Sequence, residues 1–114
     1  MQTPSAKLRR KDALGIHSLN RFVFSVPDIA PAERFYSAFG LDVRRDRDHL
    51  ELRTHGSEHC WASVHANGAP KRLQYLSLSA YDDDVDALAA RLRARGTCEP
   101  HPLSDGRGAW VRDA

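Results

Sequence analysis

The sequence predicts an α+β fold made of two βαβββ-type modules that form a curved mixed sheet with helices on its outer face. Three observations predict it. The stretch Arg21 to Gly40 reads as a strand, a turn and a helix. A second stretch, from Leu73 to Gly96, repeats that pattern about 54 residues later, and a period of that size marks a repeated structural unit. Between them lie two short stretches of alternating polarity about a glycine turn, which is the pattern of a hairpin.

The first unit is set by its periodicities. Phe22, Phe24 and Val26 alternate with Val23 and Ser25, so one face of a strand is apolar. Pro27 ends that strand because it cannot donate to a ladder. Asp28 is placed to cap a helix, and Pro31 falls in the first turn, where its missing N–H is not needed. Ala32, Phe35, Tyr36 and Phe39 recur at helical spacing. Gly40 closes the helix at a position that wants positive φ. The strand is expected over 18–26 and the helix up to Phe39.

The remaining elements follow in order. Leu41 to Arg45 is an expected strand and Arg47-Asp48 a turn. His49 to His55 and His59 to His65 are strands about Gly56-Ser57-Glu58. Asn67-Gly68-Ala69-Pro70 is a loop. Leu76, Leu78 and Ala80 give the fifth strand (73–80) an apolar face matching that of Phe22, Phe24 and Val26. Asp82 takes the place of Asp28. Val85, Leu88, Ala89 and Leu92 form the stripe of the second helix, which Gly96 closes. Acidic residues at its start and Arg91, Arg93 and Arg95 at its end suit the helix dipole. Thr97 to Leu103 and Gly108 to Arg112 are expected strands about Ser104-Asp105-Gly106.

On this count the first module spans about 16–70 and the second about 71–114, with the second short by about one strand. Two explanations stay open: a fragment of a longer protein, or a missing strand supplied by a partner. The fragment is the favoured expectation. Residues 1–15 read as a flexible polar leader, and 16–114 as a single domain.

Bulk properties limit the function. The chain has 114 residues, one domain's worth. Its net charge of +2 is too small to argue for nucleic acid, and no basic stripe is interleaved with aromatics. Lys7, Arg9, Arg10 and Lys11 lie in the leader and read as a solvated tail. The two cysteines, Cys60 and Cys98, lack metal-type spacing and read as reduced thiols of a cytoplasmic protein. No apolar run reaches about 18 residues, so no membrane helix is expected.

The hairpin permits a register argument. Leu50 and Leu52 on one strand and Cys60, Ala62 and Val64 on the other must share the helix-covered face. Only a pairing of odd with odd positions achieves this. His49 then opposes His65, Glu51 opposes Ser63, Arg53 opposes Trp61, and His55 opposes His59. These residues make a second, polar and aromatic face. By parity Arg21, Val23, Ser25, Tyr75, Ser77 and Ser79 join it, and the resulting trough is a default ligand site. Arg53 over Trp61 is an expected cation–π pair. His49 and His65, with Cβ atoms about 5 Å apart, read either as metal ligands or as a polar cross-strand pair.

The segment V-P-D-I-A-P-A-E-R-F-Y-S-A-F-G-L-D-V resembles the vicinal oxygen chelate superfamily of glyoxalases, bleomycin-resistance proteins and extradiol dioxygenases. Leu76-Ser77-Leu78 with Asp82-Asp83-Asp84-Val85-Asp86-Ala87-Leu88 strengthens the likeness. Gly108-Ala109-Trp110-Val111-Arg112-Asp113 is similar to the start of that family's last hairpin. The chain looks most like the N-terminal domain of two-domain extradiol ring-cleavage dioxygenases. That likeness implies an Fe(II) centre in the full-length enzyme, held by two His and one Glu. The family's first two ligand positions are here Arg21 and Tyr75, and the third lies on a strand beyond this chain. An arginine side chain cannot ligate a metal. The resemblance therefore implies a domain without a catalytic residue or cofactor of its own, contacting a C-terminal domain or a second copy. The alternative is a metal-free binding protein of the bleomycin-resistance type, a dimer that holds a small catechol-type aromatic ligand between Arg21, Trp61, His65 and Tyr75. A metal enzyme using His49 and His65 is the third reading.

Overall fold

The computed structural model describes residues 14–112. The element order is β1 (Ile16–Val26), α1 (Ile29–Phe39), β2 (Asp42–Asp46), β3 (His49–Arg53), β4 (Ala62–Ala66), β5 (Arg72–Ala80) and α2 (Val85–Arg95), with a single 3₁₀ turn, Asp82–Asp84, before α2. The strands form one mixed sheet in the order β2-β3-β4-β1-β5. β2 and β4 run antiparallel to β3, and β1 runs parallel to β4. The α+β class expected from sequence is the class observed. Thirteen of the fifteen residues assigned to the polar leader lie outside the described residues.

The chain divides into two compact units. One is Leu19–Leu78; the other combines the segments up to Ser18 and from Ser79 onward. The division falls inside β5 rather than at the expected module boundary near Pro70.

The core of the Leu19–Leu78 unit is Phe24, Val26, Ile29, Leu50, Leu52, Ala62 and Val64, with Ala32, Tyr36, Leu41, Val43 and Ala66 packed against it. Alternation supplies the strand members and helical periodicity supplies Ile29, Ala32 and Tyr36. Leu50 and Val64 are fully buried and face each other across the β3–β4 ladder. Phe24 and Tyr36 meet edge to face at 6.1 Å between centroids.

Asp28 takes the extended backbone of a cap residue, but its side chain makes no cap hydrogen bond. Gly40 (φ 111°) ends α1 in the left-handed conformation. Its N–H donates to Ser37 O, and the Leu41 N–H donates to Tyr36 O, both at 3.1 Å. That paired closure is a Schellman motif, and it delivers Leu41 beside Tyr36 at the core edge.

Several expectations are corrected. β3 stops at Arg53, and β4 begins only at Ala62, so His55, His59 and Trp61 lie in the connection rather than in paired strands. Cys60 is buried, yet it is not part of the core under α1; its thiol donates to Ala62 O and lies 3.9 Å from Ser63 Oγ. Leu76 and Leu78, read as core-facing, are 48% and 53% exposed.

In the other unit, α2 forms where expected and Gly96 closes it, but none of its residues is buried. The N-cap is Asp84, not Asp82. Asp84 is itself buried, and its Oδ2 accepts the Gly15 N–H at 3.0 Å. Residues 97–112 form no strand. A backbone bond, Cys98 N–H to Trp110 O at 2.8 Å, joins the two stretches expected to pair. Pro100 and Pro102 remove two donors from the first stretch, and a two-stranded ribbon is marginal by itself. The Ser104-Asp105-Gly106 turn is present, held by Gly106 N–H to Ser104 Oγ and Arg107 N–H to Asp105 Oδ1.

Leu50→Ala removes a side chain with no exposed surface at the centre of the sheet. It should cost about 2–5 kcal/mol in urea unfolding monitored by circular dichroism. Phe39→Ala, at a side chain 74% exposed, should fall within about 1 kcal/mol of wild type.

Candidate functional site

The face of the Leu19–Leu78 unit opposite its core is built in files across the strands. Asp46 pairs with His49, His49 with His65, and His65 with Ser25. In the next file Arg44 pairs with Glu51, Glu51 with Ser63, and Ser63 with Val23. Asp42 pairs with Arg53 in the third. Opposite charges thus meet on β2 and β3 at the Asp42–Arg53 and Arg44–Glu51 pairs, an arrangement that favours this register over a slipped one.

The register also fixes how close the pairs come. The Ala66 N–H donates to Asp48 O at 3.1 Å, so that neighbouring pair is a hydrogen-bonded one. Pairs alternate along an antiparallel ladder, which makes His49–His65 and Glu51–Ser63 non-hydrogen-bonded pairs, the kind whose side chains approach most closely. The two imidazoles stack with centroids 5.1 Å apart and planes 13° from parallel.

Arg53 donates from Nη2 to Glu51 Oε1 at 2.7 Å and from Nε to Glu58 O at 3.2 Å. Its Nη1 is buried, without a hydrogen-bond partner among the described residues. The expected stacking of Arg53 on Trp61 is replaced by this ion pair, and Trp61 instead meets the His59 ring edge to face at 4.4 Å. The Arg53 guanidinium holds the Glu51 carboxyl below its ordinary value; partial burial opposes this, and His49 adds a smaller downward pull.

Of the residues singled out from sequence, Arg21 and Trp61 are brought together at the β1–β4 border. The Arg21 Nε donates to Cys60 O at 3.2 Å, and the Phe22 N–H donates to Trp61 O at 3.1 Å. Trp61 is 43% exposed. His65 belongs to the file of His49 and Ser25, farther along the same strands. Tyr75 does not join them. Gln74 Nε2 donates to Ser25 Oγ at 2.9 Å, so Gln74 shares the face of Ser25, and alternation turns Tyr75 to the opposite face. Asn20 Nδ2, donating to Ser77 Oγ, places Ser77 on that opposite face as well. A long crossover joins β1 to β5, so no short turn dictates their register, and parity alone could not choose the face. Gln74, which precedes Tyr75 at the position of the family's second ligand, holds the place on this face that parity gave to Tyr75. The middle of this face is also drier than expected: Val23, Ser25 and Ser63 are all buried.

Fe(II) does not fit the positions that the resemblance assigns to it. Arg21 carries a donor-only guanidinium engaged with a backbone carbonyl, and Tyr75 turns away from it. Among the described residues no group of three His, Cys, Asp or Glu side chains is gathered as a metal site. No helix among them is long and apolar enough to cross a membrane.

A mixed βαβββ unit of this order, followed by a second strand–helix pair, is the architecture of the glyoxalase class. The chain belongs to the Glyoxalase/Bleomycin resistance protein/Dioxygenase superfamily, whose pattern it matches over residues 18–112. It is 37% identical over 114 residues to Metapyrocatechase 2 of Cupriavidus necator, covering 98% of this chain and 34% of that protein. Its fold is similar to that of the Mn(II)-bound glyoxalase from Novosphingobium aromaticivorans, with a TM-score of 0.66 at 21% identity over 85% of this chain and 34% of the other. The chain thus spans about a third of the length of the relatives it matches.

Because Glu51 has its pKa lowered in the folded state, its contribution to stability is present above the unfolded-state value of 4.5 and is lost as pH falls through the folded value. Urea midpoints measured from pH 7 down to pH 3 should fall less steeply for Glu51→Gln than for wild type below that point. Arg53→Met, which removes the main cause of the shift, should likewise flatten the acid limb.

Proposed function

We propose that this chain acts as a non-catalytic domain of an extradiol-type catechol ring-cleavage dioxygenase. It corresponds to the N-terminal domain of a two-domain enzyme and contacts a catalytic domain or a second copy. The identity to a metapyrocatechase supports the enzyme class. The observation that carries the non-catalytic role is Arg21, a guanidinium at the position where the family places its first metal ligand. The chain's own residues supply packing surface rather than chemistry. Phe35 and Phe39 stack on the outer side of α1 at 6.2 Å, 61% and 74% exposed, as suits a helix that meets another domain. Trp61, half exposed beside Arg21, offers an aromatic surface and a cation to a small catechol-type ligand.

The purified chain, loaded anaerobically with Fe(II) and mixed with catechol in air, should give no ring-cleavage product above an iron-only control, read by absorbance. Turnover that scales with protein and disappears on Arg21→Ala would contradict the non-catalytic role. Catechol should quench part of the tryptophan fluorescence, and Trp61→Phe should remove that quench.

A further inference from the structure

We infer that His49 and His65 form a two-imidazole clamp for a divalent transition-metal ion of the imidazole-preferring class, with Cu(II) the tightest binder. Three features of the site support this, none of which depends on the iron positions of the family.

The first is geometry. The two residues are a directly opposed, non-hydrogen-bonded pair on β3 and β4, both set on paired strand backbone. Their rings lie 5.1 Å apart and nearly parallel. The stacked rings send their in-plane lone pairs side by side, so binding requires both side chains to turn out of the stack, about Cα–Cβ and Cβ–Cγ, until one nitrogen of each lies at the roughly 2 Å bond length that imidazole–metal bonds require.

The second is the surroundings. The pair opens into a depression of about 440 Å³ lined by Asp46, Arg47, Asp48, His49 and His65. Asp46 is the cross-strand neighbour of His49, and Asp48 precedes it. Glu51 Oε2 stands 3.7 Å from His49 Nε2 while Arg53 holds its other oxygen. Of the residues that line the depression, Asp46 and Asp48 outnumber Arg47 by one, and Arg53 offsets the charge of Glu51 beside it, so the balance of formal charges favours a cation by one unit. The carboxylates also offer acceptors to metal-bound water.

The third is the choice of metal. No third ligating side chain is gathered here among the described residues, so solvent completes the coordination. Two imidazole nitrogens suit Cu(II), Ni(II) and Zn(II), and the general affinity order places Cu(II) first; Mg(II) and Ca(II), which want oxygen, are excluded.

The experiment uses the full chain with Cu(II) buffered by glycine at pH 7.5, read by calorimetry and by electron paramagnetic resonance. One ion should bind, with hyperfine structure from two imidazole nitrogens. His49→Ala and His65→Ala should each weaken binding about tenfold or more, and the double variant should do no worse than either alone by more than a few-fold. His49→Asn and His65→Gln keep a polar side chain at each position and should show the same loss if the alanine variants are unstable. His55→Ala and His59→Ala, checked for folding by circular dichroism, should leave affinity unchanged. The inference is overturned if both His49 and His65 variants bind as wild type does, if His55→Ala or His59→Ala causes the loss instead, or if only an adventitious ion is seen, with no two-nitrogen signature.

Discussion

The structure depends on the pairing of β3 with β4. Leu50 opposes Val64 and Leu52 opposes Ala62, and these four side chains are the floor on which α1 rests. A slip by one residue would turn both leucines to the other face and bring Glu51 under the helix. Everything on the opposite face inherits its place from that choice. The two imidazoles meet because the leucines beside them are buried, and Glu51 reaches Arg53 because both sit on the side that the core rejects.

That dependence explains what could be read from the sequence. The hairpin register was legible because only one parity buries Leu50, Leu52, Ala62 and Val64 together. β1 was legible for the same reason, and α1 because Ile29, Ala32 and Tyr36 recur on one side of a segment closed by Gly40. The His49–His65 and Glu51–Ser63 pairs followed without any further information. The relation of β5 to β1 was not legible, since neither a short turn nor a two-sided apolar requirement ties their registers. The Gln74–Ser25 hydrogen bond decides it, and a polar side chain meeting a buried serine leaves no periodic signal.

Other misses have local causes. Thr97 to Leu103 is expected as a strand, but its two prolines cannot donate, and the described residues form no strand there, though Cys98 N–H still donates to Trp110 O. The sequence assigns the cap to Asp82 and gives Asp84 no place of its own. Its burial against the Gly15 amide is a contact between segments 69 residues apart, which spacing cannot foretell. Trp61 was placed on Arg53 by assuming that β4 reached back to His59. The strand begins later, so Arg53 is left to Glu51 and Trp61 to His59. The family resemblance adds what periodicity cannot, a reading of Arg21: an ordinary strand residue by pattern, and by that resemblance the position proposed for a first metal ligand in metal-binding relatives.

The β3–β4 register is tested most directly by nuclear Overhauser contacts between backbone α-protons. Non-hydrogen-bonded pairs bring these protons closest together in an antiparallel ladder. The account predicts strong cross-strand contacts for His49 with His65 and for Glu51 with Ser63. Contacts of Glu51 with Ala62 or Val64 in their place would mean a slipped hairpin, and with it the loss of both the leucine floor and the polar files above it.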